Sequence, residues 1–161
     1  MTEVRDGRWI AATPRDVWKV LSAVERHPEW CPWARAVRRT DDARPPGLGV
    51  AYDERGGVLT PLVERSRWRI VEFDPPRRQV HRAERVRLAA SFDRVFELRS
   101  DGADGTWLTL AVRYRPALGL LGRVADRALL RRLQARRLPL ALDGIERLVG
   151  TDGTPRPTVV A

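Results

Sequence analysis

The hydrophobic period of this chain changes twice, and each change demands a different backbone. Val17, Trp18, Val20, Leu21 and Val24 recur at helical spacing. From Leu48 to Tyr114 the apolar residues repeat every second position, as in half-buried strands, and from Leu118 to Val149 the helical repeat returns. A short helical insertion, a run of strands and one long closing helix imply an α+β fold.

The first helix carries its own start signal. Thr13 can cap it with its hydroxyl, Pro14 has no N–H to lose at the first helical position, and Asp16 follows three residues after the cap. Trp9, Trp18, Trp30 and Trp33, four of the six tryptophans, lie within this opening stretch, which ends in His27-Pro28-Glu29-Trp30-Cys31-Pro32-Trp33. Pro28 and Pro32 prevent a long helix here. Trp30 and Trp33 are therefore expected on a short helical turn and an irregular lip.

In the strands, Leu48, Val50 and Tyr52 share one parity. Arg65, Arg67 and Arg69 take one face of the next strand and turn Glu64, Ser66, Trp68 and Ile70 inward. Pro75-Pro76 ends it, and a strand over Arg78 to Val86 follows, with neither parity apolar enough to assign its facing. Phe92, Arg94, Phe96 and Leu98 form the next inner row, then Leu108, Leu110, Val112 and Tyr114, closed by Pro116. In the last helix Val124, Ala128, Leu138, Leu142, Ile145 and Leu148 are among the apolar positions, and Pro139 is expected to kink or divide it. The length of 161 residues suits one domain over 1–150, with the Thr/Pro/Gly-rich 151–161 as a loose tail.

Composition excludes several kinds of chemistry. The two histidines, His27 and His81, and the single cysteine, Cys31, provide no metal-ligand spacing, and no glycine-rich phosphate loop is present; neither a metal nor a cofactor is expected. One cysteine permits no internal disulfide, and the charged N-terminal stretch lacks the apolar run of a secretory signal, so the expected setting is cytoplasmic. His27 and Cys31 stand four apart, but the flanking prolines undermine a thiol dyad. The net charge is +9, carried by arginines apart from Lys19. This balance favours acidic partners, whereas the dispersal of the arginines argues against nucleic acid. The run Arg123, Arg127, Arg131, Arg132, Arg136 and Arg137 reads as a solvated helix face, or alternatively as a membrane-surface element.

Ala11, Pro14, Val17 and Trp18, followed by Pro28 and Trp30, then by Phe73-Asp74-Pro75-Pro76 and Gly105-Thr106, resemble the pattern of the START-like (SRPBCC) superfamily, particularly its polyketide cyclase/dehydrase branch. The resemblance covers about residues 8 to 149. It implies a helix-grip fold, in which a curved antiparallel sheet wraps around a long C-terminal helix, with two short helices after the first strand and a hollow for apolar ligands. Pocket lining then falls to Trp68, Phe92 and Phe96, with Ser66, Leu110 and Leu138 on the inward rows, and a gate role to Trp30 and Trp33. Tyr52 and Tyr114 can donate hydrogen bonds to a ligand carbonyl.

Arg94 and Glu64 are the charged groups expected inside. Arg94 can hold an enolate or carbonyl oxygen, while Glu64 or Tyr52 moves protons. Alternatively, Arg94 and Glu64 neutralise each other as a buried pair. Two functions follow from the resemblance. One is cyclisation or dehydration of a polyketide-like molecule delivered by an acidic acyl-carrier protein; the other is non-catalytic binding or transport of a lipid, quinone or other hydrophobic metabolite.

Overall fold

The structure is a computed structural model that describes residues 1–40, 45–59, 61–84, 86, 89–102, 105–117, 119, 124 and 129–153. Strand β1 (Thr2–Ile10) leads into helix α1 (Pro14–Ser22), a 3-10 turn (Val24–Arg26) and the single-turn helix α2 (His27–Trp30). Strands β2 (Ala34–Arg39), β3 (Ala51–Gly56), β4 (Glu64–Asp74), β5 (Arg78–Ala83), β6 (Ala89–Ser100) and β7 (Thr106–Pro116) follow, and helix α3 (Arg131–Gly153) comes last. All strand pairs are antiparallel, in the order β1-β7-β6-β5-β4-β3-β2. The sheet thus begins and ends at the two strands that flank α1 and α2. Its inner face closes on α3 in the helix-grip arrangement.

The cap acts as expected. The Asp16 N–H donates to Thr13 Oγ1 at 3.3 Å, and the Thr13 hydroxyl donates to Asp16 Oδ2 at 2.7 Å. Val17, Trp18, Val20 and Leu21 then bury the apolar face of α1. Trp18 meets Phe73 of β4 edge to face, with ring centroids 5.2 Å apart. Two glycines allow the tryptophan-rich segment to lie close to its neighbours. A Cβ on Gly144 of α3 would stand 2.4 Å from the carbonyl oxygen of Trp30, and one on Gly56 would stand 2.2 Å from that of Trp33. Gly56 closes β3, and close approach to Trp33 is what requires glycine there.

Salt bridges fasten α3. Arg8 of β1 binds both Asp143 and Glu146, and Arg26 binds Glu29 and Asp152. The helix therefore runs to Gly153, beyond the boundary expected for a loose tail. Pro139 does not divide it. The carbonyl that a proline ring displaces belongs to the residue four earlier, here Ala135, which is exposed and can be hydrated. Leu138, Leu142 and Ile145 are buried as the period requires, whereas Val124 is exposed and Ala128 lies outside the described residues. Among the described residues no helix is long and apolar enough to cross a membrane.

The strand carrying His81 resists assignment because its buried inner row is polar, holding Gln79 and His81, while the outer row sets a buried Val80 beside an exposed Arg82. Gln79, His81 and Ala83 face α3, while Val80 joins Val95, Ala111 and Val71 in a small cluster on the outer face. The strand ends at Ala83, with Val86 bridging to Ala89. Leu48, expected on an inner row, precedes β3 and is exposed; the inner parity of that strand continues instead from Val50 and Tyr52 to Glu54.

Candidate functional site

A polar array sits at the centre of the inner face, enclosed by aromatic rings. Tyr52 and Glu54 project from β3, Ser66 and Trp68 from β4, His81 from β5 and Arg94 from β6. His27 approaches from α2, and all seven side chains are buried. Each strand contributes at alternate positions, so the array follows directly from register: Tyr52 stands opposite Trp68, Glu54 opposite Ser66, and His81 opposite Arg94.

The carboxylate that meets Arg94 is Glu54. Arg94 Nη1 and Nη2 donate to Glu54 Oε2 and Oε1, each at 3.2 Å, in a two-pronged pair. Glu64, expected in this role, stands one inward position farther along β4, opposite Gly56 at the start of the strand, and is half-buried. The buried-pair expectation thus applies to a different acid. Arg94 also lies over Trp68, its Cζ 4.4 Å from the ring centroid. His27 Nδ1 is 3.5 Å from Arg94 Nη1 and 3.6 Å from Glu54 Oε2.

Burial and charge work against each other at these groups. Burial alone would raise the Glu54 carboxyl, but the Arg94 charge, helped by His27, overrides it and holds Glu54 at about 2. Arg94 responds in the opposite sense: burial disfavours its charge, yet Glu54 keeps it firmly protonated. His27 is lowered by burial despite Glu54, and His81 is lowered well below its usual value, first by burial and then by the repulsion it would meet from a protonated His27 and from Arg94. Burial also raises Tyr52 well above its usual value. The Tyr52 phenol therefore keeps its proton and can donate it to His81 Nδ1, 2.7 Å away, an arrangement that places the His81 proton on Nε2.

The aromatic wall is continuous. Tyr52 stacks on Trp68 with centroids 6.2 Å apart, Trp68 meets Phe92 edge to face at 5.7 Å, and Phe92 stacks on Tyr114 at 5.9 Å. Ala83 stands between Trp68 and Phe92 in the register, and its small side chain lets the two rings touch across β5. Trp68 Nε1 donates to Ser66 Oγ at 2.8 Å. Phe96 lies 6.0 Å from Trp30 and 5.4 Å from His81, with Leu110 opposite it on β7. Leu138 is buried on α3.

The expected lip contains Trp33 alone. Trp30 is only 1% exposed and packs against His27, Phe96 and Gly144, so it belongs to the interior. Trp33 is half-buried, with Arg137 Cζ 5.3 Å from its ring centroid. Arg137 also donates to the carbonyls of Gly57 and Val58, which removes it from the expected solvated face. Arg131, Arg132 and Arg136 remain exposed; Arg123 and Arg127 lie outside the described residues. Cys31 is fully buried, and burial pushes its thiol up to about 12, so it is no nucleophile near neutrality.

Comparison with known proteins accords with this geometry. Residues 1–150 match the family described as polyketide cyclase/dehydrase and lipid transport. The chain belongs to that family. A comparison with curated proteins found no match. Among solved structures, TTHA0849 from Thermus thermophilus is 19% identical, with a TM-score of 0.74 over 95% of this chain and 100% of that one. The Zhui aromatase/cyclase from Streptomyces sp. R1128 is 18% identical, with a TM-score of 0.74 over 96% and 99%. Norcoclaurine synthase from Thalictrum flavum, solved with dopamine and hydroxybenzaldehyde, is 14% identical, with a TM-score of 0.70 over 96% and 89%. These likenesses establish the shared START-like helix-grip fold.

Within this member of the polyketide cyclase/dehydrase and lipid transport family, sequence reasoning missed Glu54, His27 and Gln79 as partners of the inner face. The signal for Glu54 was present, since it continues the parity of Val50 and Tyr52. For His27, the useful signal was its place on a turn that had to pack inward.

The array makes stability depend on acid. Glu54 titrates lower when folded than the ordinary value near 4.5, so its contribution is complete above that value and is lost as pH falls towards 2. His27 and His81 are also lowered, from 6.5, so their unfolded forms take up protons first and stability declines once pH drops below about 6.5. Urea unfolding between pH 8 and pH 3 should give a midpoint that is level at the alkaline end and falls in two stages. A midpoint unchanged or rising from pH 7 to pH 5 would contradict the buried, neutral histidines.

Proposed function

We propose that this protein binds an apolar, polyketide-like molecule between the sheet and α3 and assists its cyclisation or dehydration. The observation that carries this reading is the enclosed Glu54–His27–Arg94 array beside the Tyr52–His81 bond: an oriented base, a fixed positive charge and a protonated phenol among aromatic rings. Glu54 can hold the Nδ1 proton of His27, leaving Nε2 to remove a proton from the carbon between two ligand carbonyls. The electron pair then resides on the enolate oxygen. Arg94 uses two of its five N–H donors on Glu54 and can direct others to that oxygen. The enolate carbon attacks a second carbonyl carbon, a C–C bond forms, and the new alkoxide takes back the proton held on His27 Nε2. His27 then removes a second proton from the same carbon and passes it to the departing hydroxide, which leaves as water. Trp68, Phe92, Phe96, Leu110, Tyr114 and Leu138 serve as ligand wall in this scheme, and Trp33 as its lip. Glu64 has no part in it, since its inward role passes to Glu54.

An acidic acyl-carrier protein is the proposed source of the substrate. Support comes from the outer face, where Arg55 and Arg65 stand directly opposite each other with Arg38 alongside, at the edge of a surface groove. A carrier without chemistry is the second reading, favoured by the fact that Arg94 and Glu54 satisfy each other and so need no substrate to explain them.

Mass spectrometry of ligand co-purified from the native host separates the two readings. A polyketide-like molecule is expected; a phospholipid or isoprenoid would favour the carrier. On such a polyketide, His27→Gln should lower turnover by about a hundredfold or more while binding persists. Full turnover in a folded His27→Gln protein would remove His27 from the chemistry.

A further inference from the structure

The inner face carries a second set of polar groups, separate from the Glu54–Arg94 pair. Gln79 lies in the register between Phe73 of β4 and Phe96 of β6 and is fully buried. Neither its amide oxygen nor its amide nitrogen has a hydrogen-bond partner among the described residues. The same holds for Nε2 of His81, two residues farther along the same row, and for Nε1 of Trp30. Phe96 links them: its ring touches both His81 and Trp30, and its backbone is paired with Gln79. Buried polar atoms are nearly always satisfied, so a cluster of unpartnered ones around one ring needs an occupant.

The chemistry of the cluster defines that occupant. Trp30 Nε1 can only donate, and His81 Nε2 carries the proton because Tyr52 occupies Nδ1. With the Gln79 amide, the cluster offers N–H donors to an oxygen. It offers no net charge, because the buried cation nearby, Arg94, is already paired with Glu54. A carboxylate or phosphate here would be desolvated without a counter-charge, whereas a carbonyl would gain hydrogen bonds at little cost. We infer that Gln79, His81 and Trp30 form a neutral anchor for a ketone oxygen of the bound molecule, which selects oxygenated aromatic or polyketone ligands over fatty acids and phospholipids. The inference rests on the proposal that the interior binds a ligand, and it specifies which end of that ligand is recognised and by what.

Three probes of similar shape test it in the intact protein: 2-acetonaphthone, 2-isopropylnaphthalene and 2-naphthoate, titrated calorimetrically. The ketone should bind about tenfold or more tightly than the hydrocarbon, and the carboxylate more weakly than the ketone. Gln79→Leu should bring the ketone close to parity with the hydrocarbon while leaving the hydrocarbon's affinity unchanged. The substitution removes two unpartnered polar atoms, so thermal unfolding should show no loss of stability; Gln79→Met provides a second apolar replacement of similar length. Equal affinity of wild type for ketone and hydrocarbon would overturn the anchor but leave the ligand-binding proposal intact. Tighter binding of the carboxylate would overturn the neutral class. If none of the three binds, the ligand-binding proposal itself fails, and the anchor with it.

Discussion

Glu54→Ala is expected to cost about 3–5 kcal/mol of folding stability, the largest effect of any single substitution on the inner face. The reason lies less in the strength of the ion pair than in what its loss leaves behind. Arg94 is 2% exposed and protonated, and without Glu54 its guanidinium would face Trp68, His27 and Tyr52 with no counter-charge in a site closed to water. Replacing both partners should therefore be far milder than replacing one: Glu54→Leu combined with Arg94→Met removes both charges and keeps apolar volume, and its penalty should fall well below that of Glu54→Ala. Urea denaturation of the three proteins provides the comparison. A loss below about 1 kcal/mol for Glu54→Ala would mean that Arg94 finds water or another acid, and would refute a sealed pair. The double variant has a second use. If it folds and binds ligand but has no turnover, the charges serve chemistry and not architecture.

Gly144→Val should be nearly as damaging, with a loss of about 3 kcal/mol or more. A Cβ at this position would stand 2.4 Å from the carbonyl oxygen of Trp30 and 2.7 Å from its Cα, and both are backbone atoms that cannot rotate away. Either α2 or α3 would have to shift, and α2 carries His27 and Trp30 into the interior. Loss of ligand affinity should therefore accompany loss of stability, although residue 144 belongs to neither the polar array nor the aromatic wall. Gly150 is the appropriate control, since a Cβ there meets nothing within 4 Å. Gly150→Ala should leave both properties nearly unchanged. If thermal unfolding and affinity shift equally in the two variants, close helix contact is not what requires glycine at 144.

The fold was more legible than the site, and particular residues show why. Thr13, Pro14 and the 17/18/20/21/24 spacing define α1 through local chemistry, and the arginines at 65, 67 and 69 turn Trp68 inward because charge seeks water. Such signals are complete within one element. The partner of Arg94, by contrast, depends on how β3 registers against β4, and a shift of one inward position separates Glu54 from Glu64. Sequence pattern can state which parity is inward but not which of two acids on adjacent strands reaches the centre. His81 was hidden for another reason: the inner row of its strand carries Gln79 and His81 where the other strands carry apolar residues, so the alternation that reveals facing elsewhere is absent. Pro139 does not divide α3, because a helix can continue through a proline where the displaced carbonyl belongs to an exposed residue such as Ala135. That condition depends on tertiary placement.

The fastening of α3 has a consequence for how the chain is made. Arg8 lies at the start of the sheet and Arg26 beside α2, but the acids of α3 that they bind, Asp143, Glu146 and Asp152, are synthesised more than a hundred residues later. As the chain leaves the ribosome, all seven strands emerge before the helix they enclose. During that interval Tyr52, Trp68, Phe92, Phe96 and Tyr114 form an uncovered aromatic face, with Glu54 and Arg94 still in water. Until α3 docks, the greasy side of the sheet is available to chaperones, to other nascent copies and to the ligand itself.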